Sequence, residues 1–303
     1  MERVKRFVKF IELSTKLASL TPFFIGVAYV FYLTGRINVF YTLFFAADMM
    51  FFDLPVTMIN NYLDKRRANE TPHFSKAVSL TWIFSMTGLS FVMGLYLTRV
   101  FGPVVIMTGA LCFFVGIFYS FGPIPISRTP YSEIASGLVQ GFCVTFLTAF
   151  INLPQGYLVE ARFDFVRFDF SANVRNMLGL VIVTLPAIFC IANIMLANNI
   201  CDVERDTKCK RYSLPYYIGR EKSLVLFRYI YAAAYASVLA GVLVSALPAV
   251  SLLVLLTFPL VWRNGTAFAK APEKAKTFVL SIANFTYILY PFTITLVIGR
   301  FIG

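Results

Sequence analysis

From residue 17 to residue 300 the chain alternates between apolar runs of about twenty residues and short polar segments. A helical run of that length matches the hydrocarbon thickness of a bilayer. The pattern predicts spans at 17–34, 38–62, 77–98, 103–121, 133–152, 176–200, 222–242, 245–262 and 278–300. Ahead of them, residues 1–16 place Val4, Phe7, Val8 and Ile11 on one helical face with bases elsewhere. That arrangement predicts an amphipathic helix lying on a membrane surface. The run after it continues to Leu33 without a small-residue cleavage site, so it reads as a span rather than a cleaved signal. No long hydrophilic segment interrupts the series, and the expectation is an all-α polytopic membrane protein with one membrane-embedded domain over 1–303.

Composition agrees: 58% of residues are hydrophobic, 14% are charged, and the mean hydropathy is +0.74. The net charge of +12 does not point to nucleic acid, because the bases flank apolar runs instead of forming a soluble patch. The lipid bilayer is their expected partner. With an internal amino terminus, the inner segments carry every Lys and Arg except Arg36, Arg99, Arg162, Arg167, Arg175 and Arg300. This asymmetry predicts a cytoplasmic amino terminus, an external carboxyl terminus, and a location in the cell membrane. The five cysteines form no CxxC pair, which leaves neither a disulfide framework nor a zinc site. The single histidine, His73, reads as an ordinary loop residue.

Two polar stretches stand out against this background. Asn198, Asp202 and Asp206 are spaced by four residues, so on a helix their oxygens share one stripe. Arg205, Lys208, Lys210 and Arg211 follow closely. Oxygen ligands with cations behind them suit a hydrated Mg²⁺ that also carries phosphate. The run Asn60-Asn61-Tyr62-Leu63-Asp64 repeats the opening Asn-Asn and the spacing to an acid, again followed by bases. Both stretches end spans on the inner side, where they can face each other and clamp a diphosphate between metal ions. Span two also carries Asp48 and Asp53, acids at membrane depth that need a cavity or a partner. Asp53, Thr57, Asn60 or Asn61, and Asp64 form a stripe that would line a polar cavity; pairing of Asp53 with another helix is the alternative. The Pro- and Gly-rich loop 119–133 should end its helix sharply. The external segment 153–175 reads as a solvated cover.

These stretches resemble the UbiA superfamily of intramembrane prenyltransferases, and most closely its 1,4-dihydroxy-2-naphthoate branch. The resemblance rests on Asn60 to Asp64 with Glu70 as the further acid, and on Asn198-Asn199-Ile200-Cys201-Asp202 with Asp206. Arg211, Ser213-Leu214, Gly219 and the segment Tyr119-Ser120-x-Gly122-Pro123-x-Pro125 complete it. It covers nearly the whole chain and implies a nine-helix bundle around a central cavity. The implied activity is Mg²⁺-dependent transfer of a polyprenyl group from its diphosphate to a small aromatic acid, giving a demethylmenaquinone if the acceptor is dihydroxynaphthoate. In that reading Asp64, Glu70, Asp202 and Asp206 hold the metal. Asn60, Asn198, Lys208, Lys210 and Arg211 hold the diphosphate, and Tyr119 shields the developing cation. Three positions depart from the branch pattern: Asn61 stands for an acid, Cys201 for an arginine, and Ser213 for a threonine. Arg205 or Lys208 would then supply the missing cation. Other aromatic acceptors such as 4-hydroxybenzoate stay open, and a transporter of an anionic solute using Asp48 and Asp53 is the competing class.

Overall fold

A computed structural model describes residues 2–12, 16–67, 71–164 and 166–302; the side chains of residues 2–5, 9, 17, 18, 64 and 67 lie outside that description. The apolar runs become helices α2 (Lys16–Thr34), α3 (Val39–Arg67), α4 (Lys76–Phe101) and α5 (Pro103–Ser120) in the first half. A broken span follows, made of α6 (Ser132–Ser136), a π-helical stretch Gly137–Cys143 and α7 (Val144–Phe150). The second half holds α8 (Val174–Lys208), the short α9 (Leu214–Ile218), α10 (Arg220–Leu243), a 3₁₀ stretch Ala249–Thr257 running into α11 (Phe258–Lys270), and α12 (Val279–Ile302). Among the described residues, eight of these segments are long and apolar enough to cross a membrane. The predicted span 17–34 forms α2, whose apolar part, Ser19–Thr34, is shorter.

Helix α8 is the axis of the bundle. Of its most apolar stretch, 61% is buried inside the protein, against 17–22% for α3, α4 and α5. Leu180, Val183, Ala187 and Ile191 of α8 share one core with Phe227, Tyr231 and Val238 of α10 and Ile288, Leu289 and Phe292 of α12. Where lipid offers no water to compete, polar groups join helices directly. Asn193 donates to the Phe227 carbonyl at 2.8 Å, and Asn264 donates to Asn284 Oδ1 at 3.0 Å. The π-helical stretch lies against α8 so closely that a Cβ on Gly137 would stand 2.7 Å from the Ile188 carbonyl oxygen, and one on Gly141 2.8 Å from the Ile188 backbone. Glycine at both positions is a condition of that contact. The wide π turns place Val139 and Gln140 on the interior cavity, beside Ser136 of α6.

Helix α1 (Glu2–Ile11) buries Phe10 and Ile11 against Met58 of α3 and Ile83 of α4, while Val8 stays exposed. Its apolar face is thus turned partly away from the expected one, toward a protein groove. His73 sits beside Phe10, ring centroids 6.0 Å apart. The segment 153–175 contains an antiparallel hairpin, β1 (Val159–Phe163) with β2 (Phe168–Ala172), which the sequence reading missed. Paired residues share a face. One face therefore carries Val159, Ala161, Phe163, Phe168 and Phe170, and the other Glu160, Arg162, Asp169 and Ser171. Its tip is closed by Asp164 Oδ1, which accepts from the backbone N–H groups of Arg167 and Val166 and is thereby held below the usual carboxylate range.

Candidate active site

At 1.5 Å per residue, the 35 residues of α8 extend about 52 Å, well beyond the ~30 Å hydrocarbon core of a bilayer. The helix can therefore carry acids in its last turns while its middle stays in lipid. Asn198, Asp202 and Asp206 fall on one stripe that faces the bundle, and both carboxylates are buried, with 7% and 4% exposure. Cations gather around them. Arg205 places one guanidinium nitrogen 3.2 Å from Asp202 Oδ2 and 3.9 Å from Asp206 Oδ1. Lys274, from the loop before α12, donates to Asp202 Oδ2 and, at 2.7 Å, to Asn198 Oδ1. Arg211 Nε lies 3.3 Å from Asp206 Oδ2.

The turn after α8 explains why Arg211 enters and its neighbours do not. Lys210 adopts a left-handed φ of 55°, which folds the chain back so that the Arg211 N–H donates to the Asp206 carbonyl at 2.9 Å. The Arg211 side chain then also donates to the Ser127 carbonyl at 2.9 Å. Lys208 and Lys210 point to solvent and do not line the cavity.

The end of α3 meets the end of α8 across a polar chamber of about 570 Å³, bordered by Asn60, Asn61 and Lys65 on one side and Asn198, Asp202 and Asp206 on the other. Asn60 Oδ1 accepts from Ser120 at 3.0 Å, and Asn61 donates to the Phe10 carbonyl of α1 at 3.0 Å. Asp64 lies one helical turn beyond Asn60, but its side chain lies outside the described residues, as does Glu70 altogether. Arg128, Arg211 and Lys274 also border the chamber. A second, apolar chamber of about 230 Å³ opens from it, lined by Phe45, Met49, Phe52, Phe113 and Leu147. Asp53, Thr57, Asn60, Tyr119, Gln140 and Met195 border both. Asp48, on the wall of the apolar chamber, precedes Asn60 by twelve residues, about 18 Å along α3. Its carboxylate accepts from Ser90 at 2.7 Å. Tyr119 stands at the junction, its hydroxyl donating to Met195 Sδ and accepting from Ser136, both at 3.2 Å.

Of the stripe predicted on α3, Asp53, Thr57 and Asn60 line the chamber, and Asp53 also has a partner. The buried Lys16 ammonium of α2 donates to Asp53 Oδ2 at 2.7 Å and to Thr57 at 2.5 Å. Sequence reasoning gave Lys16, Arg128 and Lys274 no role beyond flanking charge. The buried acid Glu133 was missed altogether; its signal was an acid heading an apolar run. As for a metal, no cluster of three or more His, Cys, Asp or Glu occurs among the described residues. The residues present still fit a hard cation: two buried carboxylates lie one turn apart, and Asp206 Oδ2 accepts no hydrogen bond beyond its ion pair with Arg211.

Comparison with known proteins decides the family. A profile of the UbiA prenyltransferase family matches residues 19–293, nearly the entire chain. The chain belongs to the UbiA prenyltransferase family. Its relatives include 1,4-dihydroxy-2-naphthoate octaprenyltransferase of Bacillus subtilis (strain 168), 23% identical over 245 residues, which span 77% of this chain and 72% of the relative. Among solved structures, a digeranylgeranylglyceryl phosphate synthase superposes with a TM-score of 0.68 at 16% identity, covering 98% of this chain and 99% of the other. A UbiA homolog from Archaeoglobus fulgidus bound to GPP and Mg²⁺ gives 0.61 at 12% identity, covering 95% and 99%. These likenesses establish the UbiA fold and, with the family match, a prenyltransferase. Arg205, four residues after Cys201, stands beside both α8 acids. Cys201 packs against the apolar core, and Ser213 is buried at the start of α9 with its hydroxyl unbonded.

Proposed function

We propose that this UbiA prenyltransferase transfers a polyprenyl group from its diphosphate to a small aromatic acid in a Mg²⁺-dependent reaction, with 1,4-dihydroxy-2-naphthoate as the acceptor and a demethylmenaquinol, the hydroquinone form of a demethylmenaquinone, as the product. The observation that carries the reading is the two-part cavity: a polar chamber between the ends of α3 and α8, continuous with an apolar one. A prenyl diphosphate has the same division, an anionic head on a hydrocarbon tail. The basic residues concentrated at the chamber end support a cytoplasmic position for it.

In this reading Arg211, Arg205 and Lys274 grip the diphosphate oxygens as the allylic C–O bond breaks and the electron pair leaves with pyrophosphate. Lys208 and Lys210, on the rim, attract the anion without touching it. Asp202 and Asp206, together with Asp64 and Glu70, would hold Mg²⁺, which when bound would neutralise the charge that develops on the leaving group. Asn60 and Asn198 offer neutral oxygens beside it. Tyr119, at the junction of the chambers, presents its ring where allylic positive charge develops. The acceptor's electron-rich ring carbon then bonds to the prenyl C1, and its carboxylate departs as CO₂.

The test is mass spectrometry of lipid quinones formed by the purified protein from polyprenyl diphosphates and a panel of acceptors. A decarboxylated, prenylated dihydroxynaphthalene as the dominant product supports the assignment. Preferential prenylation of 4-hydroxybenzoate would move it to another branch, and no Mg²⁺-dependent product with any acceptor would defeat it.

A further inference from the structure

The polar chamber rests on a buried network that the reaction as described does not use. Glu133, in the first turn of α6, is 4% exposed and lies with the buried serines Ser132 and Ser136 against the bundle. A charge at that depth persists only where other groups satisfy it. Glu133 Oε1 accepts from Asn199 Nδ2 at 2.9 Å, and Oε2 accepts from the Ser132 hydroxyl at 3.0 Å. Asn199 is fully buried, and its Nδ2 also donates to Ser132 Oγ at 3.2 Å. Both amide hydrogens are therefore directed at α6, which turns Oδ1 the opposite way. There it accepts from the Arg211 guanidinium at 3.4 Å.

We propose that Glu133 is a positioning residue for diphosphate binding: it locks the Asn199 amide in the one orientation that gives Arg211 an acceptor, and so holds the guanidinium between Asp206 and the Ser127 carbonyl. This rests on the prenyl diphosphate reading of the chamber. The chemistry is directional. Without the carboxylate, a flipped Asn199 would turn its NH₂ toward the guanidinium, donor against donor, and Arg211 would lose that support. The same clasp joins three parts of the chain that form the chamber floor. Arg211 bonds the 3₁₀ turn Ile126–Arg128 through Ser127, Tyr212 N–H donates to the Arg128 carbonyl at 3.3 Å, and Asn199 belongs to α8. It also accounts for the second asparagine of the α8 motif, which lies off the stripe of Asn198, Asp202 and Asp206.

The test is calorimetric titration of the purified protein with inorganic pyrophosphate in the presence of Mg²⁺. It compares wild type, Glu133→Leu (similar in size, no acceptor) and Glu133→Gln (acceptor kept), each also combined with Arg211→Ala. Glu133→Leu should weaken binding about tenfold, the scale of one lost charge-assisted hydrogen bond, while Glu133→Gln stays within about threefold of wild type. With Arg211 already removed, Glu133→Leu should add nothing, because the two act as one unit. In turnover assays the KM for prenyl diphosphate should rise while that for the acceptor holds. Asn199→Ala cuts the same link in its middle and must show the same loss, which keeps the test decisive if Glu133→Leu does not fold. Unchanged pyrophosphate affinity in Glu133→Leu or Asn199→Ala overturns the proposal, as does a full additional loss in the Arg211→Ala background, which would mark a packing role. Wild-type protein that binds no pyrophosphate would instead defeat the diphosphate reading of the chamber itself.

Discussion

On α8 the second asparagine of the motif, Asn199, is fully buried and bonded to Glu133, Ser132 and Arg211; its counterpart on α3, Asn61, reaches out to the Phe10 carbonyl of α1. The first asparagines differ as well. Asn198 accepts from a lysine, Lys274, whereas Asn60 accepts from a neutral hydroxyl, Ser120. The helices themselves differ in burial, 61% against 22% of their apolar cores. Two sequences that read as copies thus end in unlike surroundings. Helix α8 is braced on all sides, so its acids and the cations around them are held in fixed geometry. Helix α3 packs mainly against α4, with smaller contacts to α1 and α5, and leaves most of its apolar surface outside the bundle.

From that contrast, damage at Asp202 and Asp206 of α8 should be chemical, and damage at Asp53 and Asn61 of α3 structural. Asp202→Asn and Asp206→Asn should each lower turnover by about 10³-fold, since several kcal/mol of leaving-group stabilisation is at stake, while the protein stays inserted and folded. Prenyl-transfer assays on membranes with matched protein levels check this. Lys16→Ala should act through stability, because it strips the mostly shielded Asp53 of its partner; loss of one member of a fully buried pair costs about 3–5 kcal/mol, and this pair, with Asp53 15% exposed, should lose less. Thermal unfolding in detergent reads that loss, and Lys16→Ala with Asp53→Asn should recover part of it. Arg211→Ala should raise the KM for prenyl diphosphate about tenfold, whereas Lys208→Ala and Lys210→Ala, whose side chains face solvent, should stay within about twofold. Asn61→Ala should only free α1, a loss of about 1 kcal/mol that limited proteolysis near residue 12 would detect without a change in kcat.

The spans were legible because twenty apolar residues leave a chain few alternatives in a membrane. The α8 stripe was legible because a four-residue spacing means one face on any helix. The hairpin was not. Its Phe-x-Phe alternation is short and carries charges at every second position, so it reads as a polar loop. Partners also escaped the sequence reading. The acid Asp53 was visible, but Lys16 lies 37 residues earlier on a different helix, and only packing brings the two together. Asn61 reads as a missing acid until α1 is seen folded against α3. Arg211 could not be separated from Lys208 and Lys210 by charge alone; the left-handed backbone at Lys210 makes the choice.

The central claim is that the α8 carboxylates and their cations are the machinery that releases pyrophosphate. The most direct measurement is Mg²⁺-dependent pyrophosphate release from polyprenyl diphosphate and 1,4-dihydroxy-2-naphthoate by purified protein in liposomes. It compares wild type with Asp202→Asn and Asp206→Asn across an Mg²⁺ titration. The account predicts release that EDTA abolishes and that both variants lack at every Mg²⁺ concentration. Near-normal release by both variants at low Mg²⁺ would contradict it.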